Sequence, residues 1–249
     1  PSGHDRNCPA PVKFERVHTD LWGPMRGKAE GSNDKYAVSF IDEATRFTVC
    51  YTIAKKDDAA KALERYLEEH VKPTDGKLFC IQSDGGGEYI GEEECGFKAL
   101  CIARGIKLQM SAPETPCQNG ISEQKWNTLA RMMRRMLLDA KLPPSYWTFA
   151  LQHAAAINNR VSTTALDGYT PFEAFYGKQP DLSMYRVFGS PMYVHLDKKK
   201  KQKLSSLVKP TIFIGIPQNY KCWMGWDHKL KKLVKSNHVT FNERVNDHT

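Results

Sequence analysis

Long apolar runs are missing from these 249 residues. None approaches the ~20 residues that carry a helix across a bilayer, so the reading has no membrane partner. No basic segment followed by an apolar stretch opens the chain at Pro1, so no secretory leader is read there, and the start reads as that of a fragment. Cys-x-x-Cys pairs are missing as well. The seven cysteines, Cys8, Cys50, Cys80, Cys95, Cys101, Cys117 and Cys222, are odd in number and irregularly spaced. That excludes a disulfide framework and points to reduced, intracellular thiols. His4 and Cys8 have the spacing to open a zinc site, but no second ligand pair follows them. Internal repeats are absent, and low complexity is confined to Lys198–Lys201.

Charge is unevenly distributed. Residues 1–186 hold 24 basic and 24 acidic side chains, while residues 187–249 hold 12 and 4, so the whole excess of +8 lies in the last quarter. Such asymmetry predicts two units, the second facing either a polyanion or, as a lysine-rich solubilising surface, water alone.

The hydrophobic pattern predicts the order β-β-β-α-β-α-β. Strands are expected at Val17–Trp22, Tyr36–Asp42, Thr48–Ile53, Leu78–Ser83 and Ile106–Met110, with helices at Ala59–Val71 and Glu94–Arg104. A meander followed by βα units implies a mixed sheet covered by helices, in which the first strand pairs with both the second and the fourth. Connections then leave in opposite directions at the first strand, and open α/β sheets tend to place their sites at such points. A long helix is expected over about 119–141, with an apolar stripe of Leu129, Met132, Met133, Met136 and Leu137, and a second over about 145–161. Thr170-Pro171 starts a short third one. Val187–Leu196, Thr211–Ile216, Cys222–Asp227 and Leu233–Phe241 read as strands of a small all-β unit.

Three carboxylates stand out by placement: Asp20 on the first strand, Asp84 after the fourth strand and before three glycines, and Glu123 near the start of the long helix. Taken singly, each is a turn residue, a cap or a dipole complement. Gathered at the switch point, they are what phosphoryl transfer needs. Two divalent ions about 3.5–4 Å apart activate the attacking oxygen and stabilise the leaving one, and Mg²⁺ or Mn²⁺ takes hard oxygen ligands. Asn119 and Asn127 flank Glu123 at one helical turn on either side, and Ala130 and Arg134 continue that face. Lys125 and Arg131 add positive charge, suited to holding a nucleic-acid backbone; the bland alternative is an ordinary solvated face. Lys198, Lys199, Lys200, Lys201 and Lys203 form either a DNA contact or nuclear-entry signal, or a solvated hairpin. The tryptophans read mostly as core, with Trp223 and Trp226 as lesser candidates for base stacking, and Asp42 reads as a turn residue.

These segments resemble the integrase family of copia-type LTR retrotransposons. The resemblance rests on His18-Thr-Asp-Leu-Trp-Gly-Pro24, Phe40-Ile-Asp-Glu-Ala-Thr-Arg-Phe47, Gln82-Ser-Asp-Gly-Gly-Gly-Glu-Tyr89 and Ser111–Glu123, with 38 residues between Asp84 and Glu123. It continues through Leu142–Trp147, Asn158–Arg160, Thr170–Glu173, Arg186–Gly189, Ile212–Gly215 and Val239–Phe241. Gly85, Cys117 and Gln124 depart from the family pattern. The resemblance implies an RNase H-like mixed five-stranded sheet flanked by helices, followed by a small all-β, barrel-like domain. It implies two Mg²⁺ or Mn²⁺ ions held by Asp20, Asp84 and Glu123, 3′-end processing by water, then attack of the new 3′-hydroxyl on target DNA. The implied partners are element-end DNA, target DNA and further copies of the chain, with RNA as another nucleic-acid candidate, and the implied location of the active form is the nucleus. The expected organisation is a tail at 1–14, a catalytic core at 15–165, a helical connector at 166–185 and a basic β-domain at 186–249. The competing readings are a domesticated, non-catalytic nucleic-acid-binding protein and an RNase H-like nuclease.

Overall fold

The computed structural model describes residues 12–83, 96–110, 120–196, 207–217 and 220–243. The chain divides into two compact units: Pro1–Arg26, Asp34–Asn127 and Ala155–Pro180 form the first, and Gly27–Asn33, Thr128–Ala154 and Asp181–Thr249 the second. Residues 128–154, expected within the catalytic-core segment, therefore group with the later β-strands.

The first unit is built on β1 (Arg16–Trp22), β2 (Tyr36–Asp42), β3 (Thr48–Ile53), β4 (Cys80–Ser83) and β5 (Lys107–Met110), in the order β3-β2-β1-β4-β5. β1–β2 and β2–β3 are antiparallel, whereas β1–β4 and β4–β5 are parallel. The expected switch at the first strand is thus present. Between β3 and β4 run α1 (Ala59–Tyr66) and a π-helical turn at Leu67–Val71, which together fill the helical stretch read as one element. α2 (Phe97–Ala103) connects β4 to β5. The start expected for it, Glu94, lies outside the described residues.

Strand alternation decides what each face carries. Val17, Val38, Phe40, Val49, Tyr51 and Ile53 join Leu63, Tyr66, Phe97 and Cys101 in one apolar cluster, with Leu21 packed at its edge. Every residue of β2 after Tyr36 is buried, as in a strand covered on both faces. Its second face carries Ala37, Ser39 and Ile41, alternating with Val38 and Phe40, and is small where it lies across from Trp22 and Asp20. Asp42 ends β2 as a fully buried carboxylate that accepts hydrogen bonds from the Thr45 amide (2.8 Å), the Thr45 hydroxyl (2.6 Å) and the Phe14 amide (2.7 Å). It is the turn residue the sequence suggests.

The long helix is α3 (Gly120–Asp139), followed by α4 (Trp147–Asn158) and α5 (Pro171–Tyr176). α5 starts on a capping box, in which the Thr170 hydroxyl accepts from the Glu173 amide (3.1 Å) while the Glu173 carboxylate accepts from the Thr170 amide (2.9 Å). Gly177, at φ +68°, closes it.

The second unit carries β6 (Pro191–His195), β7 (Val208–Gly215), β8 (Trp223–Asp227), β9 (Lys232–Ser236) and β10 (Val239–Phe241), all antiparallel, in the order β10-β6-β7-β8-β9. Leu233–Phe241, read as one strand, is two. The chain turns at Asn237-His238, and β9 pairs with β8 while β10 pairs with β6 at the far edge. The sheet curls, because Trp223 on β8 meets Phe241 on β10 with ring centroids 5.5 Å apart. Met192, Val194 and Phe213 form its core.

β3 is an edge strand of the first sheet, and Asn159 closes its start. The side-chain carbonyl of Asn159 accepts from the Thr48 amide at 2.9 Å, and its amide donates to the Thr48 carbonyl at 2.7 Å, in place of a strand partner. Both residues are buried. Asn159→Ala would orphan a buried donor and a buried acceptor, which is expected to cost roughly 2–4 kcal/mol. Urea unfolding would show a lowered midpoint at unchanged slope, and a midpoint equal to the parent's would contradict the clamp.

Candidate catalytic site

Alternation places Arg16, His18, Asp20 and Trp22 on the face of β1 opposite the apolar cluster. Asp20 is half-buried and stands across from Ser39 on β2, whose hydroxyl donates to the Asp20 carbonyl at 3.4 Å. On its other side, Thr19 pairs with Ser83, the last residue of β4. Asp84 follows Ser83 in the chain and lies outside the described residues. Glu123 lies in the first turn of α3 with its side chain exposed, where a carboxylate complements the helix dipole.

What joins Glu123's turn to Asp20's strand is aromatic. Trp22 and Trp126 stack with ring centroids 5.3 Å apart and planes 22° from parallel. Trp126 is 6% exposed. Such a pair contributes about 0.5–1.5 kcal/mol beyond the area it buries. In sequence, both residues read as core candidates. The signal for more was available: Trp22 is two residues from Asp20 on a strand, and Trp126 is three from Glu123 on a helix, and those spacings keep each tryptophan beside its carboxylate.

The other expected nucleic-acid contacts separate into three groups. Asn127, Arg131 and Arg134 are exposed on α3, with Ala130 half-buried, as a ridge continuing from Glu123. Lys125 turns the other way and does not add to that exposed face. It is half-buried beside Cys50, and loss of solvent lowers its pKa, with the repulsion of Arg46 acting in the same direction. Burial pushes the Cys50 thiol up to about 12, so it stays neutral. Cys50, Ser39 and Asp20 lie in one cross-strand row, so the β3 residue whose charge interacts with that of Lys125 shares a sheet face with Asp20. Asn119, Lys198, Lys199, Lys200, Lys201 and Lys203 lie outside the described residues.

The lesser stacking candidates are occupied. Trp226 is buried against Phe149, with ring centroids 5.5 Å apart. A Cβ on Gly31, whose φ of +76° already favours glycine, would come within 2.6 Å of the Trp226 ring. Trp223 donates its indole N–H to the Met184 carbonyl at 2.7 Å and carries the Arg186 guanidinium 5.8 Å from its ring centre. Both serve the packing of the second unit.

Among the described residues, no three His, Cys, Asp or Glu side chains form a group that could hold a metal ion. Asp20 and Glu123 are hard oxygen donors, and no soft ligand stands opposite Asp20 on β2, so the donor chemistry suits Mg²⁺ or Mn²⁺.

The fold is a mixed five-stranded sheet with helices, like that of integrase catalytic cores, with a separate five-stranded antiparallel sheet after it. In fold the chain is similar to a chain of the simian T-cell lymphotropic virus intasome, solved by cryo-electron microscopy in complex with PP2A regulatory subunit B56 gamma. The TM-score is 0.54 at 16% identity, covering 90% of this chain and 76% of that one. Residues 190–249 match the retroviral polymerase SH3-like domain. The chain itself is homologous to the retrovirus-related Pol polyproteins of copia-type plant transposons. It is 34% identical over 230 residues to that from transposon TNT 1-94 of Nicotiana tabacum, covering 92% of this chain and 17% of the relative. To that from transposon RE2 of Arabidopsis thaliana it is 28% identical over 234 residues, covering 93% and 15%. The chain therefore spans about a sixth of those relatives' length.

One carboxylate beside the Asp20 face is held by an ion-pair cluster. His18 Nε2 and Arg16 lie 3.1 and 3.3 Å from one Glu43 carboxylate oxygen. The hydrogen bond with His18, aided by its charge and those of Arg16 and Arg46, outweighs desolvation and holds Glu43 below its ordinary value of 4.5. A depressed carboxylate pKa contributes stability that is present above the unfolded value and lost as pH falls through the folded one. Glu43→Gln should therefore flatten the decline of stability below about pH 4.5, measured as urea midpoints across pH 3–6. A slope identical to the parent's would contradict the assignment.

Proposed function

We infer that this chain is the core of a divalent-metal-dependent DNA integrase, a polynucleotidyl transferase that carries out 3′-end processing and strand transfer. The supporting observation is the seating of α3's first turns against β1 by the Trp22–Trp126 stack, at the strand where the sheet changes from antiparallel to parallel pairing. Homology to retrovirus-related Pol polyproteins points the same way.

In this reading Asp20, Asp84 and Glu123 hold Mg²⁺ or Mn²⁺. Ions held there would supply activation of the attacking oxygen and stabilisation of the leaving one. The chain's own residues do the rest. Asn127, Arg131 and Arg134 continue the exposed ridge from Glu123 and hold backbone phosphates of the element end, fixing its register without reading bases. Lys125 adds positive potential from the buried side of α3. Water attacks in the first step and the freed 3′-hydroxyl in the second, so no covalent link to a side chain is formed. The basic β-domain, with Lys198–Lys201 and Lys203, supplies further salt-dependent contacts to element-end or target DNA or to RNA. The working form is a multimer on DNA ends, acting in the nucleus.

Strand transfer of a labelled, pre-processed duplex end in Mn²⁺, by the parent and by Glu123→Gln, tests the reading. Joining by the parent and none by the variant is the expected result. Cleavage without joining would instead identify an RNase H-like nuclease, and salt-sensitive DNA binding without either reaction a non-catalytic nucleic-acid-binding protein.

A further inference from the structure

Glu123 stands exposed at the start of α3. It lies in the first turn of α3, where backbone amides lack intrahelical partners and fraying is easiest, and its side chain is exposed. Asp20, by contrast, is carried by a strand paired on both sides. If the two carboxylates are to share ions, something must hold the helix turn to the strand.

The Trp22–Trp126 stack meets that need. Trp22 lies about 6.6 Å along β1 from Asp20, and Trp126 about 4.5 Å along α3 from Glu123. The lever arms are short, so a shift in the stack is passed almost undiminished to the gap between the two carboxylate-bearing backbones. The sheet half of the pair is rigid. Trp22 pairs across to the small Ala37. Gly23 behind it, at φ +133°, runs so close to β2 that a Cβ would come within 2.7 Å of the Lys35 carbonyl oxygen. The helix half is anchored by the burial of Ser122 and Trp126 on either side of exposed Glu123.

We propose that Trp22 and Trp126 are positioning residues that set Glu123 against Asp20 for divalent-ion binding, an inference that rests on the assignment of those carboxylates above. The pair touches neither DNA nor ion; it acts through the backbones it joins. Loss of the stack should therefore lower ion affinity and the maximal rate while leaving DNA affinity unchanged.

The test compares the full chain with Trp126→Leu, which keeps apolar bulk without a ring, and Trp126→Phe, which keeps a ring over Trp22. Free Mn²⁺ is counted by electron paramagnetic resonance without DNA, and strand-transfer rate and DNA affinity are measured separately. Urea unfolding selects conditions in which each variant is folded. Trp126→Leu is expected to bind Mn²⁺ about 10-fold more weakly or worse, as when an outer-shell partner is lost. Its maximal rate should fall by up to about 100-fold, as for a displacement of about 1 Å, with DNA affinity kept. Trp126→Phe should recover both to within a few-fold. A folded Trp126→Leu with parental Mn²⁺ affinity and rate would overturn the clamp alone, as would a Phe variant no better than Leu. A parent that binds no Mn²⁺ would overturn the carboxylate assignment and the clamp with it.

Discussion

β1 lies between an antiparallel and a parallel neighbour, and its two faces serve different purposes. Val17 and Leu21 face the apolar cluster that holds α1 and α2 to the sheet, while His18, Asp20 and Trp22 face the other way. A slip of one residue in register would exchange the two sets. It would bury Asp20 among Phe40, Tyr66 and Leu63 and turn Val17 and Leu21 outward. The six register pairs with β2 and four with β4 thus fix the fold and the carboxylate's orientation together. The remaining parts extend this arrangement: the small Ala37 and Ser39 across from Trp22 and Asp20, a buried Asp42 that turns the chain into β3, and Asn159 standing in as a partner for the edge.

The sheet order was legible because its signals are local. β2 and β3 have the bounds read from their alternation, and the short meander leaves few other routes. Boundaries failed where tertiary partners set them. Gly189, at φ +79°, donates its amide to the Phe213 carbonyl, and the following strand starts only at Pro191. The turn at Asn237-His238 divides a continuous β-prone run because its halves have partners at opposite edges of the sheet. The division at Asn127 inside a single helix could not be read at all, since helical periodicity runs unbroken across it.

The candidate site was legible as a list of carboxylates, less so as an arrangement. Asp20 and Glu123 came from placement and from family resemblance. Lys125 was misplaced because helix charge was read by composition. It stands about 200° around the axis from Glu123 at 100° per residue, which carries it to the sheet side. The Trp22–Trp126 pair stayed hidden because each residue taken alone is a plausible core tryptophan. One lysine of the β-domain is also engaged internally. Burial alone would raise the pKa of Asp227, but the 2.6 Å ion pair with Lys209 and a hydrogen bond from the Leu230 amide reverse the shift. That lysine is committed to the fold and not to a polyanion.

The proposed chemistry depends on one arrangement, Asp20 and Glu123 sharing divalent ions at the strand where sheet pairing switches. Anomalous diffraction from a crystal of the chain equilibrated with Mn²⁺ tests it most directly. The prediction is Mn²⁺ density bounded by the carboxylates of Asp20 and Glu123, with a second ion, once DNA is present, about 3.5–4 Å from the first. Saturating Mn²⁺ that leaves this place empty, or binds only where one of the two carboxylates is out of reach, would contradict it.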